Sequence, residues 1–365
     1  MKADEPVRAG ARSQPGGSGL DAERLVVPPA APLSVWGIHD SQNPPNDPRP
    51  SGCGYFRIVL PFDQLKANGW KAEYATNTPP ARVAEFKVLV AERLDKPEVL
   101  GDWRRRKLQH KLVYELDDDL WHVSPLNTMA YRTYGIRSVQ DAAAMCCTFS
   151  DMVTVSTEPL AEEVRKQSGN DNVVVIPNFI SAALLEMERP RREHFTIGWM
   201  GGASHSLDLA VVAPAVRRVM EADTSLRLHV VGSDFRPTLG QIRARHTKWE
   251  ACPADMYRHL DFDVGLAPIE ATQFNESKSY LKALEYGALG IPVIASDFGP
   301  YREFVVDGVT GFLVGKEKQW RDRIRLLAAD ADLRESMGAK ARELAAQHTI
   351  EGNWDKWAAA YRSLL

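Results

Sequence analysis

FNESKSYLKALEYGALGIPVIAS, residues 274–296, reads as a helix that runs into a strand. The helix is SYLKALEYGALG (279–290) and the strand is IPVIAS (291–296). Another apolar run, DVGLAPI (263–269), stands before the helix. A strand on either side of one helix is the unit of a parallel sheet, because parallel neighbours need a long crossover. On this helix Lys278, Lys282 and Glu285 fall at i, i+4 and i+7, so the three share one face. Ser277 and Ser279 are candidate N-caps. Lys278 then sits in the first turn, where a cation opposes the helix dipole and a bound anion relieves that opposition. Such a helix has the parts to grip a nucleotide diphosphate, with phosphates at its start and ribose hydroxyls on the Glu. Taken alone, the charge pattern favours a plainer account: a solvated amphipathic face with ordinary Lys–Glu pairs.

The same alternation extends in both directions. Towards the N-terminus, FTIGWMGG (195–202) is a strand ending in a glycine turn, followed by the helix LDLAVVAPAVRRVMEA and the strand LRLHVVG (226–232). Towards the C-terminus come the short strand TGFLV (310–314) and three helices, 316–329, 331–347 and 352–364. A first set of strands lies upstream: LSVWGI (33–38), KAEYA, FKVLVAE (86–92), KLVYEL (111–116), DMVTVS (151–156) and NVVVIPN (172–178). Between them fall YFRIVLPFDQLKANG (55–69), with Gly69 as its stop and a kink or break expected at Pro61, and a helix within KPEVLGDWRRRKLQHK. TEPLAEEVRKQSG is another helix, with Thr157 as its N-cap. Strands separated by helices imply parallel sheets covered on both faces. The expected fold is α/β: two Rossmann-like doubly wound parallel-sheet domains facing each other across a cleft, each binding ligand at the C-terminal ends of its strands. The charged stretch 181–194 is the expected hinge. Residues 1–31, rich in Ala, Pro, Gly, Ser and charge, are expected to be a flexible tail.

Composition narrows the function. At roughly 150 residues per domain, a chain of 365 residues is expected to hold about two domains. Hydrophobic residues are 44% and charged residues 25%, which excludes a wholly disordered chain. A net charge of −3 argues against a protein that coats nucleic acid. Cys53, Cys146, Cys147 and Cys252 are too scattered for a disulfide framework and form no Cys-x-x-Cys pair, so reduced thiols in the cytoplasm are expected. No apolar run is long enough to cross a bilayer, and the N-terminus has no apolar signal core.

The run Glu285–Tyr286–Gly287–Ala288, followed by Gly290–Ile291–Pro292–Val293–Ile294–Ala295–Ser296, resembles the donor-site signature of the retaining glycosyltransferases of family 4. The form Asn275 to Tyr286 is similar to a divergent bacterial and phage branch. The VVVIPN run ending at Asn178, IGWMGG, LHVVG ending at Gly232, and SDFGPYREFVVDGVTGFLV (296–314) fall where the family has its corresponding segments. The resemblance covers residues from about 33 to the end, strongly in the second half and weakly in the first. It implies the GT-B architecture, with an acceptor-side domain at 32–180, a nucleotide-sugar domain at 181–347, and a final helix at 348–365 that crosses back to the first domain. It implies that Glu285 binds ribose. The family's first Glu is replaced by Ser277, and the Arg and Lys that usually follow the glycine turn are replaced by SHSLDLA. The diphosphate charge must then be met by Lys278, Lys282 or an Arg from elsewhere.

Other candidates follow from residue chemistry. Gly201, Gly202, Ala203, Ser204 and His205 form the turn after a strand, where glycines let backbone N–H groups approach phosphate or sugar oxygens. His205 is a candidate to hydrogen-bond or protonate the departing phosphate. Asp117, Asp118 and Asp119 end a strand in ELDDDLWHV, and one or two of them, with Asp118 and Asp119 as candidates, could reach the cleft and act on hydroxyls or on positive charge at the anomeric carbon. A metal-binding Asp-x-Asp belongs to a different fold and is disfavoured, and a solvated turn capping the next helix explains any single Asp about as well. In PSGCGYFR (50–57), Gly52 and Gly54 permit close approach to a ligand, and Arg57 could face the cleft. The basic cluster Arg104, Arg105, Arg106, Lys107 and Lys111 reads first as a solvated face, and only secondarily as a contact for DNA or anionic lipid.

The expectation is a metal-independent, retaining transfer of a sugar from a nucleotide-diphosphate donor, UDP- or GDP-linked, with no cofactor. The acceptor is a saccharide or glycolipid, or else a hydroxylated base in phage DNA or a protein. The alternatives are a non-catalytic nucleotide-sugar-binding protein, favoured by the missing Glu, and a sugar-nucleotide epimerase of the same fold.

Overall fold

The computed structural model describes residues 33–39, 52–76, 80–94, 96–190, 193–202, 205–240, 242–250 and 252–365. The expected tail at 1–31, most of the loop at 45–54, and Ala203 and Ser204 of the glycine turn lie outside the described residues.

Among the described residues twelve strands form two six-stranded sheets, and every pairing within them is parallel. The first sheet comprises β1 (Ser34–Ile38), β2 (Lys71–Ala75), β3 (Val88–Glu92), β4 (Lys111–Leu116), β5 (Met152–Val155) and β6 (Val173–Val175), in the order β2-β1-β3-β4-β5-β6. The second comprises β7 (Thr196–Gly201), β8 (Arg227–Gly232), β9 (Ala244–Lys248), β10 (Val264–Ala267), β11 (Val293–Ser296) and β12 (Gly311–Val314), in the order β12-β11-β10-β7-β8-β9. The central strands β3, β5, β7, β10 and β11 are buried at every residue, which is why they read as continuous apolar runs rather than alternating ones. Residues 33–365 pack as one unit containing both sheets.

Three departures from the sequence reading have local causes. The helix at 55–69 does not break at Pro61: it begins at Gly52, widens into a π turn over Tyr55–Val59, and continues as Leu60–Ala67. Leu60 N–H reaches back to the Tyr55 carbonyl in that wide turn, and Pro61, which has no N–H to give, falls in the first turn of the α-helix that follows. Ser277 and Ser279 do not cap a helix with their side chains. A short helix, Gln273–Glu276, is capped instead by Thr272, and the next begins only at Leu281, so Lys278 lies in the connection rather than in a first helical turn. The terminal segment is two helices, Ile350–Asn353 and Asp355–Arg362, rather than one.

The unassigned stretch after the aspartates holds the helices Thr128–Tyr134 and Arg137–Phe149. Strand β9, with the sequence ARHTK, is a half-exposed edge strand with no apolar run to announce it.

Two crossovers join the halves. Ile180 N–H donates to the His348 carbonyl, and Ile350 N–H donates to the Ile180 carbonyl, so the outgoing and returning segments lie side by side. Trp357 and Tyr361 of the last helix are fully buried against Phe62, Val88, Val113 and Ile176 of the first half. Arg57, fully buried, lies 5.4 Å under the Trp357 ring, donates to Glu115 at 2.8 Å and meets the Ile176 carbonyl at 2.6 Å. It therefore does not face the cleft: its charge is spent inside the first half, beneath the returning helix.

Candidate functional site

The C-terminal ends of both sheets face one cavity of about 520 Å³. In the second half, Gly265 lets this happen: a Cβ there would lie 2.3 Å from the Tyr286 ring, so only glycine admits that ring against β10. The ring carries its hydroxyl to the end of β7, where Met200 N–H donates to it at 2.9 Å. Tyr286 thus ties the helix Leu281–Ala288 to the strand that presents Gly201 and Gly202 to the cavity.

Lys278, Lys282 and Glu285 all line this cavity. Lys282 is 8% exposed, sits 4.9 Å over the Trp199 ring, and its ammonium has no hydrogen-bond partner among the described residues. Burial, with a contribution from Lys278, pulls its pKa down to about 8 against the pull of Asp208 and Glu285. Lys278 lies 4.7 Å over Phe274 and 3.9 Å from Asp208. Glu285 accepts from the Tyr257 hydroxyl at 2.7 Å, and burial pushes its pKa up to about 7 despite that bond and Lys282. A buried, unpartnered cation is costly, and an anion placed beside it turns that cost into a favourable interaction.

His205 also lines the cavity. Its Nδ1 lies 2.7 Å from Asp208 Oδ2, while Asp208 Oδ1 accepts from Asn275 at 3.0 Å and from the Glu270 N–H at 3.3 Å. Burial alone would raise the Asp208 carboxyl, but His205, Lys278 and Lys282 hold it well below the usual carboxylate range. An ionised Asp208 fixes the hydrogen on Nδ1, which leaves Nε2 as an acceptor. Burial, then the two lysines, push His205 down to about 4. His205 therefore presents Nε2 to the cavity as a neutral acceptor.

The first half contributes an opposite charge. Asp117 and Asp118 line the cavity. Burial raises the Asp118 carboxyl, Asp117 raises it further, and Arg93, Lys278 and His205 oppose them. Asp119 does not join them. It is fully buried, accepting from the Trp121 and His122 N–H groups and from His122 Nδ1 at 2.8 Å, so it closes its own turn. Gly54 likewise sits within a helical turn off the cavity, and the glycine that lines it is Gly52, at φ +58°. Ser277 is 2% exposed and is not on the cavity wall; its carbonyl accepts from Thr157 at 2.7 Å, and of the two serines flanking Lys278 it is Ser279 that lines the cavity. Asn178 donates to the Ser279 hydroxyl at 2.9 Å, so the loop carrying Lys278 is tied to the first half at both serines.

Arg93, which sequence reasoning missed, lies at the end of β3 with φ 51°. Its guanidinium donates to Asp117 at 2.9 Å and meets Cys53 Sγ at 2.6 Å, and its Nε has no partner among the described residues. Cys53, Glu92 and Asp117 are the one grouping of metal-type ligands found among the described residues, and they converge on this guanidinium. A resident cation already fills their centre, so the grouping does not fit a metal ion. The signal for Arg93 was positional: it directly follows a strand of a doubly wound sheet, where ligands gather. The basic cluster at 104–107 is spent locally, with Arg105 and Arg106 on Asp102, Arg104 over Phe149 and Lys107 on the Phe149 carbonyl.

A sequence model described as "Glycosyl transferases group 1" matches residues 281–344. Residues of the chain are 39% identical over 166 positions to the D-inositol 3-phosphate glycosyltransferase of Paenarthrobacter aurescens, covering 41% of this chain and 38% of that protein. A protein of the same description from Nocardia farcinica is 41% identical over 86 positions, covering 22% of this chain and 19% of its own length. The chain thus spans well under half the length of the curated relatives it matches. Among solved structures, Anabaena HepE in complex with UDP superimposes with a TM-score of 0.63 at 15% identity, covering 91% of this chain and 100% of that one. Sucrose-phosphate synthase from Thermosynechococcus elongatus superimposes with a TM-score of 0.64 at 16% identity, covering 91% and 99%. The chain has the GT-B fold of these solved structures, and its residues 281–344 are similar to the glycosyl transferases of group 1. Within that fold the matched segment is the helix of Lys282 and Glu285, the following strands, and the helices behind them.

Proposed function

We propose that this protein is a glycosyltransferase that moves a sugar from a nucleotide-diphosphate donor to an acceptor hydroxyl, with retention of configuration and without a metal ion. The observation that carries the reading is the buried, unpartnered ammonium of Lys282 beside Lys278, on the same wall as the Tyr257–Glu285 pair. The lysines answer a diphosphate and Glu285 answers ribose hydroxyls. The UDP named in the HepE complexes makes a UDP-linked donor the first to test, with GDP-linked donors next.

Charge develops when the bond between the anomeric carbon and the diphosphate oxygen breaks and the electron pair leaves with the diphosphate. Preorganised cations at that oxygen lower the barrier, and the buried lysines act where water does not screen them. The departing phosphate then takes the acceptor's proton on the same face, so no separate base is demanded. Asp118 stands on the opposite wall, placed to stabilise positive charge at the anomeric carbon or to orient a hydroxyl. In this reading, 32–180 is the acceptor side, 181–347 the donor side and 348–365 the returning helix. The acceptor is a saccharide or glycolipid, or else a protein or a hydroxylated base in DNA. The protein acts in the cytoplasm, and among the described residues no helix is long and apolar enough to cross a membrane.

The test is release of free nucleotide from a panel of UDP-, GDP-, ADP- and dTDP-sugars, with and without EDTA. One donor consumed at an EDTA-insensitive rate supports the reading. Saturable binding of a nucleotide sugar with no release under any acceptor would instead mark a binding protein, and conversion of the donor sugar alone would mark an epimerase.

A further inference from the structure

His205 presents an acceptor to the wall where the reading above puts the diphosphate. Asp208 holds Nδ1 at 2.7 Å and is itself fixed by Asn275 and the Glu270 N–H, so the ring orientation is set before any ligand arrives. Nε2 has no partner among the described residues and carries the lone pair. A phosphate oxygen also offers only lone pairs. Two acceptors facing each other repel, and a proton on Nε2 turns the contact into a charge-assisted hydrogen bond.

We propose that the donor enters this site together with a proton, which loads onto Nε2 of His205 and makes an Asp208–imidazolium–diphosphate chain. This inference rests on the nucleotide-sugar reading above and adds to it an ordered event and a positioning residue, Asp208. The charged groups facing His205 are Asp208 from its own helix, Lys278 from the connecting loop, Lys282 from the Leu281–Ala288 helix and Asp118 from the end of β4. The edge of Trp199 packs on the ring and carries no charge. Of these groups, the two lysines oppose protonation, and they are the two that a diphosphate neutralises. Asp208 favours protonation and remains ionised throughout. Ligand entry thus removes what disfavours the proton and keeps what favours it. This chain has His and Asp where an Arg and a Lys commonly follow the glycine turn, so one of its cations is assembled on binding rather than carried permanently.

The experiment is calorimetric titration of the full chain with UDP-glucose, and with GDP-glucose in parallel, at pH 6.5 in two buffers of very different ionisation heat. A nucleotide sugar has no phosphate group that titrates near this pH, and Lys282 is already charged there. The slope against buffer heat gives the protons taken up per donor bound. The wild type is expected to take up close to one more proton than His205→Gln, with both variants melting at the same temperature when empty. Asp208→Asn is expected to lower that uptake as well; because Asp208 also ties two loops, its melting curve is read beside it. Binding by the wild type with the same proton count as His205→Gln overturns the inference and leaves the donor reading standing. A wild type that binds neither nucleotide sugar overturns both.

Discussion

Lys282→Met should make the empty protein more stable and the donor-bound protein weaker. Folding pulls the Lys282 ammonium from 10.5 to about 8, chiefly by burial. At roughly 1.4 kcal/mol for each tenfold change in proton affinity, holding that charge costs about 3 kcal/mol. The sign follows from linkage. A base whose folded pKa lies below its unfolded one is destabilising wherever it is charged in both states. The cost is therefore full below pH 8 and fades as the pH rises from about 8 towards 10.5. Methionine keeps the length and apolar volume but loses the cation–π contact with Trp199, worth about 1 kcal/mol. A net gain of about 2 kcal/mol remains, or a rise of roughly 3–6 °C in melting temperature at pH 7. The rise should shrink at pH 9.5. Loss of a charge-assisted contact to the diphosphate should weaken UDP-sugar binding by on the order of tenfold to a hundredfold. The assays are thermal melting with and without ligand, and calorimetric titration. A variant that melts lower than wild type and binds the nucleotide sugar unchanged would refute the argument that Lys282 is held strained for an anion.

Four further outcomes are expected. Glu285→Gln should weaken binding of a nucleoside diphosphate by roughly tenfold and leave inorganic pyrophosphate affinity unchanged, since the carboxylate answers ribose hydroxyls rather than phosphate; competition titrations with both ligands check this. Asp118→Asn should lose turnover with little change in melting temperature, whereas Asp119→Ala should lose roughly 1–3 kcal/mol of stability, because it strips acceptors from the buried N–H groups of its own turn. Arg57→Ala should cost about 3–5 kcal/mol, because it leaves the buried Glu115 without its cation and with Thr154 as its remaining side-chain partner, and denaturant unfolding should show it.

The architecture was legible because buried parallel strands such as VLVAE and VIAS stand out as apolar runs between helices. Strand β9 was not, since an edge strand with one partner needs no apolar face, and ARHTK has none. Lys282 and Glu285 were legible because they share one helix, and Gly201 and Gly202 because they close a strand; Lys278 reaches the same cavity from the connection before that helix, not by helical spacing. The error over Ser277 arose from taking one helix where Thr272 and Tyr280 begin two. Arg57 and Arg93 show what a sequence withholds. Both are arginines beside glycine or strand-end signals, yet one is turned inward onto Glu115 and the other is held on the cavity wall by Asp117 and Cys53. That difference depends on partners far along the chain. The state of His205 depends in the same way on its burial, on the two lysines beside it and on Asp208, three residues away.

The most direct test of the central claim is a crystal structure of the full chain with a hydrolysis-resistant nucleotide sugar. The account predicts the diphosphate beside Lys278, Lys282 and His205, the ribose hydroxyls on Glu285, and the sugar between Gly201 and Asp118. A nucleotide found elsewhere, or in this cavity with Lys282 still unpartnered, would contradict it.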